Sequence, residues 1–288
     1  MVVINKWFHF AYKKSHHHYN TMGYHSHKEF EILYIHQGNA KIIIQHKIFD
    51  LQPGDIVLLN GLKQHYTFSK PSDTYIRSVL EFLPEALLPL FEAMNAKAIL
   101  EETLPFNQSI IRVQDKSKLA HFNYCLTRFN EFIHCKNDML FQQNNQSYYD
   151  AKIKHLIVDL LFDIQQLTYS PLSSVVTEKG EKEVLVENML FWITKHYTKS
   201  SIIDSLSNEF HISKRYVTQL FREILGITVM DYVMDFRIEH AKIQLELQTK
   251  KPISDIALDV GFKNSAHFSR VFHNKIGMPP SKYKQFKS

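Results

Sequence analysis

The sequence predicts an α+β protein: an N-terminal β-barrel, a helical middle, and an all-α C-terminal region built on a repeated helix–turn–helix. Three observations carry this prediction. Short apolar runs punctuated by turn residues fill the first 83 positions, the periodicity then becomes helical, and the last third matches itself at an offset of 50–51 residues.

The strand-like runs are Glu31–His36, Lys41–Gln45, Asp55–Leu59 and Tyr75–Phe82. Turn residues separate them at Gln37-Gly38-Asn39, Pro53-Gly54-Asp55, Asn60-Gly61 and Pro71-Ser72-Asp73. Strands so closely spaced leave no room for crossover helices and fit a sandwich or barrel. His9 and His16, His17 and His18 precede them in an N-terminal arm. In the middle, Ile153, Leu156, Ile157, Leu160, Leu161, Ile164 and Leu167 form one apolar helix face over Tyr148–Leu167, and Leu119–Ile133 reads as a second helix. Gln142–Gln146 is a polar loop between them. This helix pair either covers the barrel or pairs with a second copy of the chain, giving a homodimer. Ser170–Gly180, bounded by Pro, Ser and Gly, reads as a linker. The expected units are therefore residues 1–83, 84–175 and 181–288.

Composition narrows the function. Eight glycines in 288 residues are too scattered for a GxGxxG or phosphate loop. Two cysteines, Cys125 and Cys135, are too few for a disulfide framework and fit a reducing cytoplasm. Neither a secretory signal nor a membrane-spanning apolar run is present, so no membrane role is expected. Residues 181–288 hold 16 Lys and Arg against 12 acidic residues, a net +4 out of the chain's +5. That excess is consistent with a polyanionic partner.

The repeat gives that partner a geometry. Phe221, Gly226 and Tyr232 recur as Phe272, Gly277 and Tyr283. Ile203, Leu206, Ser207, Phe210 and Ile212 correspond to Ile253, Ile256, Ala257, Val260 and Phe262. Each copy reads as helix, tight turn, helix. Ser213 and Asn264 are N-caps of the second helices, and Gly226 and Gly277 stop them. Pro252 suits the first turn of Ile253–Val260. Gly261 makes the turn of the second copy, and His211 stands in its place in the first. Val217, Leu220, Phe221 and Ile224 face inward, as do Phe268, Val271, Phe272 and Ile276. The opposite faces carry Lys214, Arg215, Thr218, Gln219 and Arg222, then Asn264, Ser265, Ala266, His267 and Arg270. Most of these side chains can donate to base edges and phosphates in a major groove of double-stranded DNA. A joining helix over Val229–Gln248 spans about 30 Å, against about 34 Å between successive grooves on one side of DNA. The shortfall implies a bent site or one weakly engaged helix.

Residues 253–284 (ISDIALDVGFKNSAHFSRVFHNKIGMPPSKYK) resemble the signature of AraC-type transcription regulators, and the resemblance extends over about residues 185–285. Arg237 and Ala241 match the family's linker-helix arginine and alanine. By position, Arg215, Thr218 and Gln219 resemble the base readers of the first copy, and Ala266, His267 and Arg270 those of the second. The resemblance implies DNA binding, transcriptional control that is often activation, contact with RNA polymerase, and no enzymatic activity.

The barrel carries a second resemblance. His25-x-His27-x3-Glu31-x6-Gly38 is similar to the first cupin motif, and Gly54 followed eleven residues later by His65 is similar to the ends of the second. Asn60, Leu62 and Ser69 depart from that second motif. Such a cupin-like barrel implies a sensor, with His25, His27, Glu31 and His65 around a small polar effector such as a sugar, and with no cofactor. Three imidazoles and a carboxylate also suit Zn, Fe, Mn or Ni, which leaves a metal- or redox-sensing regulator as an alternative. Two further alternatives are a cupin metalloenzyme fused to a DNA reader, and a regulator that needs no ligand.

Overall fold

A computed structural model describes residues 7–16, 24–69, 74–97, 110–113, 115–134, 146–168, 179–247 and 250–287. Among the described residues eight strands form two sheets. The larger has the order β1 (Phe8–His16), β7 (Tyr75–Phe82), β2 (Phe30–Gln37), β5 (Asp55–Asn60), β8 (Ile110–Arg112). The smaller has the order β4 (Lys47–Leu51), β3 (Ala40–Ile44), β6 (His65–Phe68). The helices are α1 (Leu88–Ala93), α2 (Lys116–His134), α3 (Gln146–Thr168), α4 (Glu181–His196), α5 (Ile202–Glu209), α6 (Lys214–Leu225), α7 (Val229–Leu247), α8 (Ile253–Asp259), α9 (Ser265–Ile276) and α10 (Pro280–Lys287).

Both sheets are apolar on both faces, which orders the molecule in layers. On the large sheet, Phe8, Ile32, Tyr34, Ile56, Leu58, Leu80 and Phe82 pack against Phe122, Phe129, Ile153, Ile157 and Leu161 of α2 and α3. The helix pair therefore covers its own barrel. The opposite face, with Leu33, Ile35, Val57, Leu59 and Val79, meets Ile42, Ile44 and Leu51 of the small sheet. The small sheet turns Ile43, Ile48, Tyr66 and Phe68 outward, into one core with Tyr24 and with Val186, Met189 and Leu190 of α4 and Tyr232, Val233 and Phe236 of α7.

Two expectations need correction. The N-terminal arm is strand β1, antiparallel to β7 from Phe8↔Phe82 to His16↔Tyr75, with a bulge between Ala11 and Lys14. The helical middle is interrupted by β8, which pairs with β5. Arg112 on β8 donates from Nε and Nη2 to both oxygens of the fully buried Asp55, at 2.9 and 2.8 Å. His17, His18, Cys135, the turn at 71–73, the polar loop at 142–145 and most of the linker (170–178) lie outside the described residues.

The repeat folds as its punctuation requires. Ser213 Oγ accepts from the Tyr216 N–H at 3.2 Å, and Asn264 Oδ1 from the His267 N–H at 2.8 Å. Gly226 and Gly277 close α6 and α9 at φ +71° and +80°. His211 adopts φ +54° where Gly261 has +90°, so both turns use the left-handed region. Gly261 is further constrained: a Cβ there would lie 2.7 Å from Thr198 Cα. Pro252 sits at the N-cap of α8 rather than inside its first turn. Arg237, buried in α7, donates to the Tyr197 and Lys199 carbonyls at 2.8 Å each. Ala241 is fully buried in the second copy's core.

Candidate ligand site and nucleic-acid interface

The four barrel residues singled out from sequence converge, although only Glu31 and His65 lie in regular strands. His25 forms an isolated antiparallel bridge with His65, by N–H to carbonyl bonds of 3.0 and 2.9 Å in both directions. The ring centroids lie 4.4 Å (His25–His65), 5.2 Å (His27–His65) and 5.7 Å (His25–His27) apart. Glu31 Oε2 is 3.4 Å from His27 Nε2 and 3.2 Å from His65 Nε2. His27 is held by close approach to Gly61, whose carbonyl accepts the His27 N–H at 2.8 Å. A Cβ on Gly61 would fall 2.3 Å from His27 Nδ1 and 2.2 Å from the Glu29 carbonyl oxygen.

The cross-strand register adds two residues. His9, Glu81, Glu31 and Leu59 are consecutive partners across β1, β7, β2 and β5, so they share a face. His9 Nδ1 lies 3.3 Å from Glu81 Oε2, and Glu81 lies beside His27 and Glu31. Glu81 was missed from sequence. Its signal was an acidic residue between apolar Leu80 and Phe82 at a position that alternates inward with Val79.

Electrostatics favour the charged forms of Glu31 and His27. Burial alone would raise the Glu31 carboxyl, but hydrogen bonds and charge from His27 and His65 hold it well below its ordinary range. Burial likewise opposes charge on His27, yet Glu31, Glu81 and Glu29 raise its pKa. His65 Nδ1 lies 2.9 Å from the Lys63 carbonyl, which orients the other nitrogen inward. His27 Nε2 and His65 Nε2 are buried and meet Glu31 at 3.4 and 3.2 Å, and the buried His27 Nδ1 lies 3.5 Å from Glu29. Those inward-facing nitrogens can serve a polar ligand or a divalent metal equally well.

On the reader, Lys214, Arg215, Thr218, Gln219 and Arg222 line one shallow surface of α6. Thr218 is half-buried and the others are exposed. Two details qualify the set. Lys214 Nζ is paired with Asp204 on α5, and Thr218 Oγ1 donates to the Lys214 carbonyl at 2.9 Å. On α9, Asn264, Ser265, Ala266 and Arg270 are exposed, but the Asn264 oxygen is committed to its cap. His267 is half-buried, edge-on to Phe262 with 5.5 Å between centroids.

Barrel and reader meet along polar contacts that the sequence did not reveal. The N–H groups on either side of His25 donate to the joining helix: Tyr24 N–H to Asp235 Oδ2 at 3.3 Å, and Ser26 N–H to Glu239 Oε2 at 3.2 Å. Asp235 also binds Lys275, near the end of α9. At the other end of the seam, the buried Glu187 of α4 accepts from the Ile48 N–H at 2.6 Å.

A β-barrel with a polar mouth, packed on two helix–turn–helix units with a joining helix between them, defines a ligand-binding transcription regulator. Two sequence profiles match, one described as an AraC-like ligand binding domain over residues 8–121 and one as a helix-turn-helix domain over residues 206–285. The chain is 32% identical over 100 residues to the regulatory protein SoxS of Escherichia coli (strain K12), covering 35% of this chain and 92% of SoxS. It is 22% identical to the HTH-type transcriptional activator RhaR of Klebsiella pneumoniae, over 92% of this chain and 88% of RhaR. It is 23% identical to the Msm operon regulatory protein of Streptococcus mutans, over 88% and 83% respectively. The structure of ToxT from Vibrio cholerae O395 aligns over 99% of each chain at 15% identity, with a TM-score of 0.36. The chain belongs to the AraC-type family of transcription regulators. No helix among the described residues is long and apolar enough to cross a membrane.

Proposed function

We propose that this regulator captures a small polar effector at the barrel mouth, between His25, His27, Glu31 and His65, and passes its occupancy to the DNA reader through the joining helix. The observation that carries this reading is the strip Tyr24–His25–Ser26. The middle residue belongs to the mouth, and the flanking N–H groups rest on Asp235 and Glu239. A ligand that moves the His25 backbone disturbs those contacts, and through Asp235 it reaches Lys275 of the second recognition helix. The effect is a population shift between reader geometries. His9 and Glu81 extend the mouth toward β1. Inward of the mouth the barrel is apolar, which favours a compact polar ligand, such as a sugar, held at the rim.

On DNA, Arg215, Thr218, Gln219 and Arg222 of α6 and Ser265, Ala266, His267 and Arg270 of α9 face the major groove, with Lys214 and Asn264 at the helix starts. Ala266 offers only a methyl contact to thymine. The 19 residues of α7 span about 28 Å, which favours a bent site. We assign residues 1–83 to sensing, 84–175 to covering the barrel and to homodimer contacts, and 181–288 to DNA, in a cytoplasmic activator that also touches RNA polymerase. The convergence of three imidazoles and a carboxylate favours one second reading, a metal-sensing regulator with the same residues as ligands.

The test measures DNA affinity with and without candidate effectors found by calorimetric screening, in wild type and Asp235→Asn. The proposal requires that Asp235→Asn leave effector binding in place and reduce its influence on DNA affinity. An undiminished response in this variant would refute the route. Metal content of protein purified without a histidine tag separates the two ligand readings.

A further inference from the structure

A second constellation lies on the helix pair, which packs on the face of the large sheet opposite the one that carries Glu31. His121 and Cys125 are one helical turn apart on α2 and present their side chains on one face. Asp163 faces them from the neighbouring α3. His121 Nε2 is 3.4 Å from Asp163 Oδ2 and 3.7 Å from Cys125 Sγ, and one donor atom from each residue lies within 4.8 Å of the others.

These separations are those of a tetrahedral ion. With metal–nitrogen and metal–oxygen distances of about 2.0–2.1 Å and a metal–sulfur distance of about 2.3 Å, tetrahedral angles place N and O about 3.4 Å apart, and N and S about 3.6 Å. A cavity of about 180 Å³ opens beside His121 and Asp163, lined also by Ser117, Lys118 and Gln166. It has room for water in a fourth position. From these distances we infer that His121, Cys125 and Asp163 bind a divalent transition-metal ion of the zinc class, which braces α2 against α3.

The thiol chemistry agrees. Without a cation, burial and the negative charge of Asp163, with Asp159 behind it, push the Cys125 thiol up to about 11, against the weaker pull of Arg128. A bound ion inverts that balance and takes the thiolate. The set offers one nitrogen, one sulfur and one oxygen, which suits zinc or cobalt and not magnesium or calcium.

Cobalt(II) titration of the full-length protein, purified without a histidine tag, tests this directly. We expect a near-ultraviolet sulfur-to-cobalt charge-transfer band that saturates at one cobalt per chain. It should vanish in Cys125→Ser and persist in Cys135→Ser. His27→Ala should also retain the band, because the barrel mouth contains no thiol. Asp163→Asn should weaken cobalt binding at least about tenfold, the scale on which even outer-sphere changes act. In a His27→Ala background, which disables the barrel cluster, zinc should raise the thermal midpoint, and adding Cys125→Ser to that background should abolish the rise. Absence of the band in wild type, or its survival in Cys125→Ser, would overturn the assignment. Neither outcome bears on the barrel site.

Discussion

The two copies of the helix–turn–helix share caps, turns and apolar stripes, but they differ in what holds them. Among the described residues the first recognition helix, α6, is tied ionically within its own scaffold, from Lys214 to Asp204 of α5 and from Glu223 to Lys182 of α4. The second, α9, is tied outward: Lys275 binds Asp235, which also accepts the Tyr24 N–H from the barrel. The second copy also reads with less, since Ala266 lacks a polar group and the Asn264 oxygen is used by its cap. In the proposed function this difference separates two roles within one repeat: α6 would supply most of the base-reading chemistry, and α9 would be the helix whose position the sensor influences.

The largest effect that would break this comparison is in the cores. Phe221 and Phe272 occupy equivalent, fully buried positions, and truncating either to alanine should cost about 3–5 kcal/mol in chemical denaturation. Equal losses would show the copies to be structurally equivalent. A much smaller loss for Phe272→Ala would show that the second copy leans on its outward ties. Next, Arg215→Ala should weaken specific DNA binding by about 1–3 kcal/mol whether or not effector is present. The loss from Arg270→Ala should change with effector, and anisotropy titrations on one operator would detect this. An effector-independent loss at both positions would erase the distinction.

The pH response sharpens the comparison at the sensor end. Glu31 is depressed from 4.5, so its stabilisation is complete above about that pH and is lost as pH falls through the folded value. His27 is raised from 6.5, so its stabilisation is present below about that pH and is lost as pH rises through the folded value. The mouth is therefore firmest between about pH 4.5 and 6.5. Thermal midpoints of His27→Gln should lose the alkaline decline relative to wild type. The smallest effect is at the first turn. His211→Gly should be neutral or stabilise by up to about 1 kcal/mol, because it relieves a positive φ at some cost in unfolded-chain entropy. Marked destabilisation would mean that the imidazole itself makes the turn.

How much of this was legible in the sequence varied with the range of the forces involved. The repeat was legible down to single caps, because Ser213, Asn264, Gly226 and Gly277 act within one turn of helix. The convergence of His25, His27, Glu31 and His65 was legible as a motif, although His25 and His27 lie outside the regular strands. β8 was not legible: three residues carry no period, and their place depends on an Asp55–Arg112 pair formed across 57 positions. β1 was hidden because its second half, Lys13–His16, is polar in sequence, with Lys13, Lys14 and Ser15 exposed. The seam was the least legible. Asp235 and Glu239 are two acids one turn apart on the joining helix, a spacing at which like charges disfavour a helix and nothing local signals a buried role. Their backbone partners at Tyr24 and Ser26 are more than 200 residues away.

The outward face of the small sheet has a consequence for anyone who would cut this protein apart. Ile43, Ile48, Tyr66 and Phe68 complete a core whose other half belongs to α4 and α7. Severing the chain at the linker would leave two greasy scars, one on each fragment, where neither surface evolved to meet water. Chimaeras that graft this sensor onto a foreign reader inherit the same debt. They should precipitate unless the donor helices bring matching apolar side chains, or unless those four positions are rewritten with polar residues.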